Sequence, residues 1–338
     1  MKKVGLFYGG RSYEHEISVL TAVQAGTFFP REYELIPIFM KEGKFFLKDD
    51  FRKFSSYLAK TNDKEITLQN GGIRLKKKFI ELECAVVACH GGEGEDGTLS
   101  ALLEFYNIPF TSADHFSSSI CMDKALTKAI LKEKGFSVTP EWDGEFPAIV
   151  KPCVLGSSIG ISICQNKDEL FEAEENAKMF GNYIIEPFLQ ESIELNCAAV
   201  RSNGNIIISQ IERPFYKGQF LDFDNKYKSG EREIPAQIDV ELSKEIAETT
   251  EAIYKALSLF GVVRVDYLFH NGKLFVNEIN TIPGSFAYYL FSDIGINFEK
   301  LLRIMIEEGK SRGTLKRPIF DTEILKEYAN GFKGSKGK

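Results

Sequence analysis

Arg264-Val265-Asp266-Tyr267-Leu268-Phe269-His270-Asn271-Gly272-Lys273-Leu274-Phe275-Val276-Asn277-Glu278-Ile279-Asn280 reads as two strands folded back on each other about one turn. An Asn-Gly pair between apolar or alternating runs is the strongest short-range hairpin signal, because both positions of a tight hairpin turn need positive φ. Side chains alternate between the faces of a strand, so Glu278 and Asn280 share a face, and pairing across the turn can bring Asp266 beside them. Two carboxylates so close repel one another unless a cation is shared. With phosphate oxygens present, Asp266, Glu278 and Asn280 form an oxygen-donor set suited to Mg²⁺. A solvated hairpin face would also account for these residues, but the strands around them are rich in Val, Ile and Phe, and a buried acid needs a partner.

Working outward, Asn203-Gly204 is a second hairpin signal, and a long amphipathic helix is expected over 240–260 between the two hairpins. This predicts an α+β C-terminal domain over 186–338. Before it, strands expected over 148–152, 161–164 and 183–188 flank one helix over 167–180, a small central domain placed at 113–185. The stretch Ile149-Val-Lys151-Pro-Cys-Val-Leu-Gly156-Ser157-Ser158-Ile159-Gly160 runs from strand into a small-residue loop. Glycines there let a backbone approach phosphates closely, and Lys151 offers a fixed positive charge, although a plain Gly/Ser turn with a surface lysine has the same composition. No GxxxxGK[ST] occurs, so a bound nucleotide needs some other arrangement. The first 112 residues alternate strand and helix patterns: strands over 4–8, 34–40 and 85–89, helices from near Ser12 and over 98–106. Such alternation predicts a parallel α/β sheet. One helix is expected over 117–134, closed by Gly135, and 331–338 reads as a frayed tail.

Composition narrows the function classes. The 338 residues, 43% hydrophobic and 27% charged, suffice for two or three domains with cores of their own. A net charge of −6 without a basic stripe predicts no nucleic-acid partner. The apolar start after Lys2-Lys3 stops at Gly9-Gly10 and is too short for a signal peptide, and no run approaches the roughly 20 apolar residues of a membrane span. The six cysteines form no CxxC pair and lie mostly in apolar runs such as Cys84-Ala-Val-Val-Ala-Cys89. Buried free thiols in a reducing cytoplasm are therefore expected.

Gly92-Glu93-Gly94-Glu95-Asp96-Gly97 matches GxGxxG, the loop that cradles a dinucleotide pyrophosphate, with Asp114 at about the distance of a ribose-binding acid. Three carboxylates in the loop oppose that reading, since a pyrophosphate needs N–H groups free of nearby negative charge. A tight turn with acids at a helix N-terminus explains the stretch at least as well.

Six segments taken together resemble the D-alanine-D-alanine ligases of the ATP-grasp superfamily. They are Gly9-Gly10-Arg-Ser-Tyr-Glu14-His-Glu-Ile-Ser18, His90-Gly-Gly-Glu-Gly-Glu-Asp-Gly-Thr98, Met122-Asp123-Lys124, Lys151-Pro-x3-Gly-Ser157-Ser158-x-Gly160, Asp222-x3-Lys226-Tyr227, and Arg264-Val-Asp266 with Asn277-Glu278-Ile-Asn280-Thr-x-Pro-Gly284. The resemblance implies a three-domain ATP-grasp architecture, α/β and α+β, with an N-terminal parallel α/β domain. It implies that ATP lies between the central and C-terminal domains, with Lys124 and Lys151 on its phosphates, Glu186 and Leu189 on adenine and Glu194 on ribose. Asp266, Glu278 and Asn280 would bind two Mg²⁺ ions, with Mn²⁺ as a substitute. Glu14 would anchor the first D-alanine's ammonium with Ser157 and Tyr227, while His90 and Lys226 line the substrate pocket. Arg264 and the N–H of Gly284 would stabilise the oxyanion, and 220–236 would be a closing loop. Two D-alanines are the implied substrates, cell-wall precursor synthesis the implied use, and a homodimer the family expectation.

The chemistry supplies independent reasons for such a set. A carboxylate becomes an electrophile once its oxygen is phosphorylated, which requires charge neutralisation around the transferring group. An acyl phosphate hydrolyses readily, so closing a loop over it favours attack by an amine. The chain departs from the family at Ser285-Phe-Ala-Tyr-Tyr289-Leu290, where many members carry Met-Thr and then a serine for the second substrate's carboxylate; by position Tyr289 takes that serine's place. D-serine or D-lactate is the rival second substrate, and Tyr227 after Lys226 argues against lactate. A nicotinamide oxidoreductase and a non-catalytic nucleotide-binding regulator are the rivals from other classes.

Overall fold

The structure is a computed structural model that describes residues 1–58, 63–215, 231–312 and 323–331. Its elements are, in order, β1 (Lys2–Gly9), α1 (His15–Thr27), β2 (Tyr33–Lys41), β3 (Lys44–Leu47), α2 (Ser55–Leu58), β4 (Lys64–Gln69), β5 (Gly72–Leu75), β6 (Lys78–Glu81), β7 (Cys84–Val87), α3 (Gly92–Glu95), α4 (Thr98–Phe105), α5 (His115–Met122), α6 (Lys124–Glu133), β8 (Ala148–Pro152), β9 (Ser162–Cys164), α7 (Lys167–Lys178), β10 (Tyr183–Pro187), β11 (Ile193–Ser202), β12 (Asn205–Phe215), β13 (Glu231–Glu233), α8 (Val240–Ala256), β14 (Val262–His270), β15 (Lys273–Asn280), α9 (Phe298–Arg312) and α10 (Ile324–Ala329). They form a seven-stranded sheet in the order β6-β5-β4-β3-β2-β1-β7, a three-stranded sheet β10-β8-β9 and a five-stranded sheet β13-β12-β11-β14-β15.

Among the described residues, the parallel ladders of the sheet expected of the first domain are those of β1 with β2 and with β7. The strands β3 to β6 add an antiparallel meander. The cause is local: two-residue connections such as Glu42-Gly43, at φ 51° and 75°, can join antiparallel neighbours but leave no room for a crossover helix. The helix expected over 117–134 is likewise two helices. Asp123 leaves helical geometry at φ −91° and ψ 108°, and its carboxylate accepts the Leu126 N–H at 3.0 Å, capping α6. Helix α8 starts at the expected residue, with Asp239 accepting the Leu242 N–H at 2.7 Å, but ends at Ala256.

Three hydrophobic clusters underlie the sheets. The first joins the N-terminal strands to Ile282, Phe286, Leu290 and the inner face of α9, so the chain's later part completes the first core. The second packs Cys121 of α5 and Leu131 of α6 with α8 and the five-stranded sheet, and the third is confined to the small sheet and α7. All six cysteines are free and buried, and burial pushes the Cys197 thiol up to about 11. Among the described residues no helix is long and apolar enough to cross a membrane.

A candidate active site between the sheets

The hairpin of β14 and β15 turns at Asn271-Gly272 and pairs Arg264 with Asn280 and Asp266 with Glu278, the juxtaposition its sequence predicts. The register then shifts, because Tyr267 pairs with Val276 and leaves Asn277 as the extra residue of a bulge. The bulge lets Val276 enter the core beside Tyr267 while Asn277 turns to the cleft, where its Oδ1 accepts from Lys151 Nζ at 3.0 Å. Nothing in the Asn277-Glu278-Ile-Asn280 motif itself singles out Asn277 for this contact. Arg264 donates to both oxygens of Asp266, at 2.6 and 2.7 Å, and Asn280 Nδ2 donates to Asp266 Oδ2 at 2.9 Å. Burial would lower the Arg264 pKa, but the adjoining carboxylate holds it well above its ordinary value. Among the described residues no three His, Cys, Asp or Glu converge as a metal cage.

Two cavities meet at this hairpin. One is lined by Lys151, Ser158, Glu186, Leu189, Glu194 and Asp266, the other by Glu14, His90, Glu95, Arg264, Asn280 and Gly284. Lys124, Leu155 and Glu278 line both. The break before α6 sets Lys124 there: its N–H donates to the Cys153 carbonyl at 3.0 Å and its Nζ to the Leu155 carbonyl at 2.6 Å, with Glu278 Oε2 3.8 Å away.

In the first cavity the buried Glu186 carboxylate is occupied by cations. Lys151 Nζ lies 2.8 Å from Oε2, Lys128 Nζ bonds Oε1, and Thr139 Oγ1 donates to Oε1 at 2.7 Å. Burial opposes ionisation of Glu186, and the two lysines outweigh it and hold its pKa down to about 2. Glu186, the residue expected at adenine, thus also serves Lys151 as a counter-ion. Lys128, overlooked in the sequence, sits on an amphipathic helix where nothing marks it as different from a solvated lysine.

In the second cavity Glu14 immediately precedes α1 and is only 8% exposed, and its carboxylate accepts the Ser157 hydroxyl. A Cβ at Gly91 or Gly156 would stand 2.7 or 2.8 Å from Glu14 Oε2, so both glycines make room for that carboxylate. His90 is buried, with Nε2 2.7 Å from Thr21 Oγ1 and Nδ1 2.7 Å from the Ile282 carbonyl. The acids of the GxGxxG stretch face N–H donors: Glu93 accepts from Arg11, and Glu95 accepts the N–H of Gly91 at 2.8 Å and of Ile282 at 3.0 Å. A Cβ at Gly284 would meet nothing within 4 Å. Tyr289 lines neither cavity: its hydroxyl donates to the buried Glu212 at 3.1 Å, the Arg232 guanidinium lies 4.8 Å from its ring, and burial together with Glu212 pushes its pKa up to about 12. Lys226 and Tyr227, with most of the 220–236 loop, lie outside the described residues.

The sequence and the fold place this chain among known proteins. Residues 3–113 match the family model of the D-ala D-ala ligase N-terminus and residues 125–307 that of its C-terminus. A D-alanine–D-alanine ligase of Thermosipho melanesiensis is 38% identical, covering 96% of this chain and 99% of its own length. The crystal structure of the VanG D-Ala:D-Ser ligase from Enterococcus faecalis superposes with a TM-score of 0.81 at 27% identity, covering 91% of this chain and 99% of that one. That of a D-alanine–D-alanine ligase from Bacillus anthracis complexed with ATP superposes at 0.70 and 25% identity, covering 92% and 98%. From the extent of these matches, the chain belongs to the D-alanine–D-alanine ligase family.

Proposed function

We infer that this protein uses ATP to join two D-alanines as D-alanyl-D-alanine through an acyl phosphate, supplying peptidoglycan precursor synthesis in the cytoplasm. The observation that carries the reading is the pair of cavities meeting at Lys124, Leu155 and Glu278. ATP in the cavity of Lys151 would direct its γ-phosphoryl at that junction, where the carboxylate of a D-alanine held by Glu14 arrives from the other side. Lys124 and Lys151 neutralise phosphate charge, while Glu186 and Leu189 offer the adenine contacts and Glu194 the ribose contact, all lining the same cavity. Arg264 and the Gly284 N–H face the carbonyl oxygen that becomes an oxyanion when the second amine attacks.

Asp266, Glu278 and Asn280 fit Mg²⁺ because all three offer hard oxygen donors, and that ion characteristically takes one or two carboxylates and completes its shell with phosphate oxygens and water. Two ions, or Mn²⁺ in their place, would supply charge neutralisation at the transferring phosphoryl. Lys226 and Tyr227, outside the described residues, are the remaining substrate-side residues we assign, and a homodimer is the assembly we assign.

Incubation with ATP, Mg²⁺ and D-alanine tests the reading: phosphate and a D-alanyl-D-alanine mass should appear in equal amounts. Phosphate without dipeptide would refute it. A same-fold ligase taking D-serine second is the alternative, suggested by the likeness of the fold to the VanG D-Ala:D-Ser ligase. D-serine outcompeting D-alanine in a mixed assay would select it, and efficient ester formation from D-lactate at neutral pH would refute the role of Tyr227 in choosing an amine.

A further inference from the structure

We propose that Glu95 is a positioning residue that fixes the spacing between the ammonium end and the carboxyl end of the first substrate's pocket. The inference rests on the assignment of Glu14 to the ammonium and of Gly284 to the oxyanion. Strand β15 ends at Asn280, so the polar backbone groups of the following turn need partners outside the ladder. Side chains from the N-terminal sheet's loops and α1 provide them. Glu95 Oε1 accepts the Ile282 N–H at 3.0 Å, and His90 Nδ1 lies 2.7 Å from the Ile282 carbonyl, which can only accept, so Nδ1 carries the proton. Both backbone groups of Ile282 are thereby clamped. Thr21 Oγ1, 2.7 Å from His90 Nε2, accepts the Ser285 N–H at 3.1 Å, and Gly284 is held between the two anchored residues.

The other oxygen of Glu95 accepts the N–H of Gly91 at 2.8 Å, and Gly91 is one of the two glycines packed against the Glu14 carboxylate. One half-buried carboxylate thus spans the element that receives the ammonium and the element that receives the oxyanion. For a substrate as small as alanine the two must keep a fixed separation, and misplacement by about 1 Å can cost on the order of a hundredfold in rate. Of the acids that make Gly92 to Gly97 a poor pyrophosphate loop, Glu95 has this use instead.

Glu95→Gln tests the proposal. The amide keeps the shape but offers one acceptor oxygen, so one of the two N–H bonds is lost. Affinity for a phosphinate mimic of the tetrahedral intermediate should fall about 10- to 100-fold, in step with kcat/KM for D-alanine, while KM for ATP and affinity for ADP stay unchanged. Thr21→Val, which removes the acceptor of the Ser285 N–H at nearly constant volume, should show the same pattern and carries the test should Glu95→Gln not fold. Unchanged phosphinate affinity in both variants, or an equal loss of ADP affinity, overturns the proposal. Arg264→Lys separates it from the reading beneath: if that variant loses phosphinate affinity and Glu95→Gln does not, the clamp alone fails. If Arg264→Lys binds the mimic as the parent does, the oxyanion assignment fails and takes the clamp with it.

Discussion

The cavities on either side of Lys124, Leu155 and Glu278 are built on opposite plans. On the Lys151 side charges are satisfied by charges: Lys151 and Lys128 share Glu186, and Asn277 accepts a second hydrogen bond from Lys151. On the Glu14 side, side chains hold backbone in place, as His90, Glu95 and Thr21 do for Ile282 and Ser285. An anionic ligand entering the first cavity must therefore share lysines that already have partners, whereas a ligand entering the second meets donors already fixed. The first plan suits a highly charged ligand whose binding can repay the exchange, and the second suits a small one that cannot.

The largest effect should come where the plans meet. Glu278→Gln halves the carboxylate charge of the hairpin corner and keeps its shape, so turnover should fall by about a thousandfold, the several kcal/mol that a metal's charge stabilisation supplies, with the thermal midpoint unchanged. Near-normal turnover at saturating Mg²⁺ would remove the metal from the corner.

Lys151→Ala should act on the first cavity alone, raising KM for ATP about 10- to 100-fold through loss of one charge-assisted phosphate contact. It should also alter acid stability. Glu186 is held near pH 2, below the ordinary carboxyl value of 4.5, so its stabilisation is complete above 4.5 and lost as pH falls from there toward 2. Removing one of its two lysines should move acid unfolding, followed by circular dichroism, to higher pH. An unmoved midpoint with unchanged ATP use would make Lys151 incidental to both.

Gly284→Ala should act on the second cavity alone. With nothing within 4 Å of the new Cβ and no positive φ to strain, the fold is unaffected, but the methyl stands in the substrate's space. A loss of about tenfold in kcat/KM for D-alanine, equivalent to about 1.4 kcal/mol, with KM for ATP unchanged would sharpen the contrast. A parallel loss in ATP use would blur it. The smallest effect belongs to Tyr289→Phe: the hydroxyl serves Glu212 outside both cavities, so stability should fall by about 1 kcal/mol while preference between D-alanine and D-serine holds. A changed preference, measured by competition, would restore Tyr289 to the second-substrate contact that its place in the sequence suggests.

What could be read beforehand follows the range of the interactions. Asn271-Gly272 fixes a hairpin within a few residues, so the meeting of Asp266, Glu278 and Asn280 follows from alternation alone. The bulge at Asn277 left a trace, since Val276 and Ile279 are both core and stand three apart where a regular strand would space them by two. The meander of β3 to β6 is not legible although Asn70-Gly71 marks one of its turns, because strands as short as the four residues of Lys44–Leu47 and Lys78–Glu81 leave no room for an apolar alternation to show. The partner of Lys128 at Glu186 and that of Glu95 Oε1 at Ile282 are distant in sequence, and no local pattern encodes such pairings. The same holds for the completion of the first core by Ile282, Phe286 and α9.

The central claim is that phosphoryl transfer to a carboxylate occurs where the two cavities join. D-alanine labelled with ¹⁸O in its carboxylate, incubated with the protein, ATP and Mg²⁺, tests it through the mass of the phosphate released. If a carboxylate oxygen attacks the γ-phosphorus and the amine then cleaves the carbon–oxygen bond of the acyl phosphate, each phosphate carries one labelled oxygen and ADP carries none. Dipeptide formation with unlabelled phosphate would contradict it.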